Sequence, residues 1–298
     1  MFAIVIALAA VGVARARRPA PGRGTVERQL VVDGVTRTYL LHAGGAAKPG
    51  RPLVFVLHGW KGTAATIEHR TRATLDALAD RDGAVVVYPQ ALGSPPRWND
   101  GWFSGTAQAP LPDDVHFLSA LVGALAAELG IDRGRVFAAG LSNGASMVYR
   151  LACERADLVA AIAPVSGTMS AAVASACPGG APVSVIAMHG TADPLVPIDQ
   201  GVHESVATWT RRDGCPAAPR TSRLPDVDPD DGTQTSVDAY GPCAAGTDVA
   251  FYTIEGGGHA WPGGERIWGF VRHGNVPRDF DAGAVIWDFF QKHPRSPR

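Results

Sequence analysis

The sequence predicts an α/β protein whose mostly parallel sheet carries helices on both faces and opens with an antiparallel hairpin. Three observations point there. Short apolar runs without polar alternation, the mark of strands buried on both faces, alternate along the chain with longer segments of helical composition. Two strand-like segments, residues 26–32 and 36–42, flank Asp33-Gly34, a strong two-residue hairpin signal. In the middle of the chain, residues 136–139 read as a buried strand, Gly140-Leu141-Ser142-Asn143-Gly144 as a tight turn, and residues 145–153 as a helix.

Taken in order, residues 1–24 are expected to be a signal peptide and short linker, and residues 25–298 a single domain. Residues 2–13 form an apolar run too short to span a bilayer and of the length of a signal-peptide core, and Ala14-Arg15-Ala16 offers a cleavage site. No Lys or Arg precedes that run. After the hairpin, residues 53–57 are a buried strand ending in the loop His58-Gly59-Trp60-Lys61-Gly62. Residues 66–81 read as one helix and 84–88 as the next strand. Residues 91–112 are a long irregular stretch containing Trp98, Asn99, Trp102 and Phe103, and loops of that length are commonly functional. Asp113 or Asp114 caps a helix over 115–129, which Gly130 ends. Strands are expected at 158–165, 183–188 and 249–254, and helices from Asp199 or Gly201 to about 211 and over 282–291. Residues 213–247 read as polar connection. Their run of Asp226, Asp228, Asp230 and Asp231 lacks the glycine and glutamate that a calcium-binding loop needs, so a solvated turn is expected there.

Composition narrows the function. A net charge of -1 over 298 residues excludes an electrostatic nucleic-acid binder, which needs a concentrated basic face. Four cysteines, Cys153, Cys177, Cys215 and Cys243, are an even number, consistent with disulfides in an exported protein. Three pairings are open. With no C-x-x-C spacing, neither a zinc knuckle nor a redox motif is indicated, and no metal or organic cofactor is expected.

The chemistry centres on Ser142. Gly-x-Ser-x-Gly between a strand and a helix is the nucleophile elbow of α/β-hydrolases, where the flanking glycines allow close packing and the serine hydroxyl is exposed. In a chain with 35 Gly the pattern is weak by itself. It gains weight from its partners. An elbow serine needs a base to take its proton and an acid to orient the base, in the chain order Ser, Asp, His, each from the carboxyl end of a strand. Asp193 follows the strand ending near Met188, and His259 the strand ending near Ile254. His58 and His189 also end strands, but earlier in that order, and read as braces for their loops. Asp199 rivals Asp193 but sits where a helix start uses a cap. Backbone N–H groups of Asn143 and Trp60 occupy the two positions from which this fold builds an oxyanion hole.

These pieces also carry a resemblance. Leu57-His58-Gly59, Trp98-Asn99, Asp113-Asp114-Val115-His116-Phe117, Gly140-Leu141-Ser142-Asn143-Gly144, His189-Gly190-Thr191-Ala192-Asp193 and Gly256-Gly257-Gly258-His259-Ala260-Trp261-Pro262-Gly263 stand in an ordered series across residues 26–292. In this the chain resembles the secreted esterases that include polyhydroxybutyrate depolymerases and feruloyl or acetylxylan esterases. The resemblance implies an α/β-hydrolase fold, the triad Ser142, Asp193 and His259, and the disulfides Cys153–Cys177 and Cys215–Cys243. Members often carry a cysteine near the Trp98-Asn99 segment; this chain has none there.

The reading is therefore a secreted serine ester hydrolase acting through an acyl-enzyme on hydroxyalkanoate oligomers or small esters. Its alternative is a feruloyl or acetylxylan esterase acting on plant polysaccharide. The partner is a small-molecule or polymeric ester, with no nucleic acid and no stable membrane span after signal cleavage. Trp60, Trp98, Trp102, Trp261 and Trp268 fall in loops, and Trp98 and Trp261 are the candidate substrate contacts. Two rivals are a serine peptidase of the same fold, separated by activity, and a non-catalytic binding protein, separated by its failure to react with a fluorophosphonate.

Overall fold

A computed structural model describes residues 24–45, 49–102, 111–177, 179–266 and 273–295. The expected signal peptide lies outside these residues, as do Phe103 and Trp268. Strands β1 (Val26–Val32) and β2 (Val35–Ala43) form the hairpin. Asp33 and Gly34 turn it with φ of 51° and 76°, the left-handed pair that matches strand twist.

The hairpin starts a ten-stranded sheet. Its other strands are β3 (Arg51–Leu57), β4 (Val85–Pro89), β5 (Ile131–Leu141), β6 (Ala161–Val165), β7 (Ser184–Gly190), β8 (Arg220–Arg223), β9 (Gln234–Tyr240) and β10 (Val249–Glu255). The order is β1-β2-β4-β3-β5-β6-β7-β10-β9-β8. Pairing is parallel from β4 through β10 and antiparallel at both margins. Strands β3, β4, β6 and β7 are buried along their whole length, which is why their sequences are apolar without alternation.

Helices cover both faces. Leu53, Phe55, Val136 and Ala138 point to one side, where they pack with α3 (Asp114–Leu129), α4 (Asn143–Glu154), α5 (Ala171–Ala176) and α6 (Val202–Arg212). Val54, Val56, Phe137 and Ala139 point to the other, against α1 (Ala64–Arg70), α2 (Thr74–Asp82) and α7 (Ala282–Lys292). Asp113 caps α3 by accepting the His116 N–H, and Gly130 ends that helix in the left-handed conformation.

Three expectations are corrected. The single helix over 66–81 is two, because Arg72 and Ala73 take positive φ and the Arg70 carbonyl accepts the N–H of Glu265. A tertiary partner thus competes for the carbonyl that would have continued the helix. The strand expected from 158 begins at Ala161, residues 156–158 being a turn. Of the two starts expected for α6, Gly201 is the one found. The polar connection after Asp213 contains β8 and β9. In β9 only Thr235 and Val237 are buried, and every residue of β8 is exposed, so no apolar pattern announced either.

The run of aspartates does form an exposed turn around the short 3-10 helix Pro229–Asp231, and no metal-holding cluster occurs among the described residues. Both disulfides implied by the resemblance are present, Cys153–Cys177 and Cys215–Cys243. They close loops with sequence separations of 24 and 28, which by the chain-entropy account is worth about 3.5 kcal/mol each.

Candidate active site

Strand β5 delivers Ser142 to the carboxyl edge of the parallel strands. The residue has φ 59° and ψ -123°, a strained conformation for a non-glycine residue, and it stands immediately before α4. Its N–H donates to the Val165 carbonyl at the end of β6 (2.9 Å), and its carbonyl accepts the Ser146 N–H (3.0 Å). The flanking glycines are required by contact. A Cβ on Gly140 would lie 2.3 Å from the Gly144 carbonyl oxygen, and one on Gly144 would lie 2.4 Å from that of Leu57. Glycine at both positions lets strand, helix and the end of β3 converge.

Asp193 follows β7 and His259 follows β10, and the two meet: His259 Nδ1 lies 2.8 Å from Asp193 Oδ2. The other carboxylate oxygen of Asp193 accepts the N–H groups of Leu195 (2.8 Å) and Val196 (2.9 Å). Burial pushes the Asp193 carboxyl up, but the His259 hydrogen bond and charge, with the two backbone N–H groups, outweigh it and hold the pKa below the ordinary value. In a neutral imidazole, an Nδ1–H donated to an ionised Asp193 corresponds to the tautomer whose Nε2 carries no proton. The His259 loop is also tied to the serine. Ser166, next to the Val165 that anchors Ser142, donates its hydroxyl to the Ala260 carbonyl (3.1 Å).

The two strand-ending histidines are braces. Buried His58 presents Nδ1 to the Gly59 carbonyl (2.7 Å), while its Nε2 accepts the Ala91 N–H (3.1 Å). His189 Nε2 faces the Val196 carbonyl (2.8 Å) and lies 3.5 Å from Asp193 Oδ2. Burial pushes the His58 pKa down to about 4, against a smaller upward push from the Gly59 carbonyl. Since the unfolded imidazole titrates near 6.5, this contribution to stability is fully present above pH 6.5 and is lost as pH falls toward 4. The loss amounts to about 3 kcal/mol. Urea unfolding at pH 7 and pH 4.5 should show a larger drop for the native chain than for His58→Gln. That comparison cancels other buried groups such as Asp76, whose pKa burial raises to about 6 and which acts in the opposite sense.

The loop after β3 lies against the serine, since a Cβ on Gly59 would come 3.2 Å from Ser142 Cβ. The backbone N–H groups of Trp60 and Asn143 make no hydrogen bond among the described residues. The tryptophans divide differently from expectation. Trp98 is 0% exposed and Trp261 2%, so neither ring is presented to a substrate; among the described residues the exposed tryptophan rings are Trp60 (56%) and Trp102 (49%). Trp98 turns inward because its indole N–H finds the His58 carbonyl (2.8 Å).

Sequence reasoning missed the group that holds this loop in place of a cysteine. Asn99 N–H donates to buried Asp114 (2.7 Å), and Arg150 donates to the Asn99 carbonyl (2.7 Å). The Asn143 side chain donates to Asp100 (2.5 Å). No spacing signals such contacts, because each joins segments more than 10 residues apart.

Sheet order, two-sided helical cover and the strained serine turn define this protein as an α/β-hydrolase. The sequence model of the family described as Esterase PHB depolymerase matches residues 37–215. The chain belongs to that family of ester hydrolases. It is 35% identical over 275 residues to "Putative esterase NocK" of Nocardia uniformis subsp. tsuyamanensis, covering 83% of this chain and 77% of that one. It is 26% identical over 244 residues to feruloyl esterase B of Piromyces equi, covering 76% of this chain but only 42% of that protein. Among solved structures, an acetyl xylan esterase from Aspergillus awamori shares the fold with a TM-score of 0.63 at 17% identity, over 90% of this chain and 99% of that one.

Proposed function

We propose that this chain is a serine carboxylic-ester hydrolase working through an acyl-enzyme. Ser142 Oγ attacks the ester carbonyl as His259 Nε2 takes its proton, and the N–H groups of Trp60 and Asn143 receive the oxyanion. Collapse expels the alcohol, which takes the proton from His259. Water then enters by the same base and frees the acid. Asp193 holds the imidazole and stabilises its charged form. The observation that supports this most is the buried 2.8 Å His259–Asp193 pair, whose loop is tied through Ser166 and Val165 to the strained turn at Ser142. Ser142→Ala should abolish hydrolysis of p-nitrophenyl acetate while the fold is kept; full retained activity would sink the reading.

Hydroxyalkanoate oligomers or small esters are the proposed substrates, following the family the chain belongs to. Relatives named feruloyl esterase and acetylxylan esterase favour a second reading, esters on plant polysaccharide. Comparing kcat/KM for hydroxybutyrate oligomers and methyl ferulate decides between them: a hundredfold preference for methyl ferulate discards the first. Two disulfides and the apolar N-terminal run support export, and no helix among the described residues is long and apolar enough to cross a membrane.

A further inference from the structure

We propose that Trp98 is a positioning residue that locks the two oxyanion donors into one rigid unit; this rests on the serine-hydrolase reading above. The two N–H groups come from separate segments, the loop after β3 and the first residue of α4. To act together they must both lie about 3 Å from the oxygen that becomes charged, and a shift of one loop against the other spoils that spacing.

Trp98, from a third segment, bonds to both. Its indole N–H donates to the His58 carbonyl (2.8 Å), and its ring lies 5.1 Å from the His58 ring. Its own backbone closes a two-way clamp on the Asn143 side chain: Trp98 N–H donates to Asn143 Oδ1 (2.8 Å), and Asn143 Nδ2 donates to the Trp98 carbonyl (3.2 Å). A further bond runs from the Lys61 N–H to the Pro96 carbonyl (3.0 Å), so the chain around Trp98 grips the oxyanion loop on both sides of Trp60. The peptide unit that carries the Trp60 N–H is itself pinned, because its carbonyl, that of Gly59, accepts the Gly62 N–H (3.0 Å) and faces His58 Nδ1. Packing of Gly144 on the Leu57 and His58 carbonyls sets the distance between this loop and α4, but leaves the loop beyond His58 without a hydrogen bond to that helix among the described residues. Trp98 supplies that link, bonding the His58 carbonyl and the Asn143 side chain at once. With no exposed surface, its ring acts only through these neighbours and not on substrate.

The test is Trp98→Phe, which keeps an aromatic ring and removes the indole donor. With p-nitrophenyl acetate we expect kcat to fall roughly 10- to 100-fold with KM changed less than about threefold. Affinity for a boronic acid that forms a tetrahedral serine adduct should fall by the same factor as kcat/KM, a readout that simple destabilisation would not move. Asn143→Ala removes the clamp from the helix side and keeps the backbone donor; it should show the same kcat-specific loss, and it carries the test if Trp98→Phe does not fold. The double variant should lose little more than the worse single one. A kcat within twofold of the native chain in a folded variant, or additive losses in the double, overturns the proposal. If Ser142→Ala is dead while Trp98→Phe is fully active, only the coupling fails; if Ser142→Ala is active, the reading of the site fails with it.

Discussion

Asp193→Asn is expected to lower kcat for p-nitrophenyl esters about 10⁴-fold while leaving the protein folded. The size follows from which way an amide must face. In the native side chain one oxygen accepts two backbone N–H groups, from Leu195 and Val196, and the other faces His259 Nδ1. An asparagine keeps its only carbonyl oxygen where the two N–H donors are, which turns its NH2 toward His259. That NH2 donates to Nδ1, so the imidazole proton moves to Nε2 and the base can no longer accept from Ser142. A circular-dichroism melt checks folding. A kcat within tenfold of the native enzyme would show that Asp193 does not orient the base.

Gly144→Ala is expected to destabilise the protein by about 3 kcal/mol or more, or to leave none of it folded. The added methyl would stand 2.4 Å from the Leu57 carbonyl oxygen and 2.7 Å from that of His58. Both are main-chain atoms at the end of a fully buried strand, so no rotamer change relieves the clash. Relief would need β3 and α4 to separate, which also parts the two proposed oxyanion donors. Gly123 offers the control. It lies within α3, and a Cβ there meets nothing within 4 Å. Gly123→Ala should raise the unfolding free energy by up to about 1 kcal/mol through helix propensity. Equal urea midpoints for Gly144→Ala and the native chain would refute the account of the elbow.

Much of this was legible beforehand because the relevant signals are local. Asp33-Gly34 sets a hairpin whatever surrounds it, since the turn needs two residues tolerant of positive φ. The buried strands announce themselves through residues such as Leu53 to Leu57, apolar on both faces because helices lie on both. The order Ser142, Asp193, His259 is likewise written along the chain, and the fold brings Asp193 and His259 into hydrogen-bond contact.

Other features depended on partners distant in sequence. The break between α1 and α2 follows from Glu265 taking the Arg70 carbonyl, which nothing in residues 66–81 foretells. Strand β9 exists through pairing with β10, and β8 through pairing with β9, while the side chains of β8 are exposed and those of β9 mostly half-buried. Trp98 and Trp261 carried the composition of a binding surface yet lie buried, because burial depends on which donors and acceptors await the ring. The sequence by itself determined eight of the sheet's ten strands, the glycine-flanked serine turn and the succession of candidate catalytic residues, since period and turn chemistry act over a few residues. Only the tertiary structure decided which tryptophans face solvent and which side chains clamp the loops around Ser142. Those are set by hydrogen bonds between segments 40 and 45 residues apart, such as Trp98 to His58 and to Asn143.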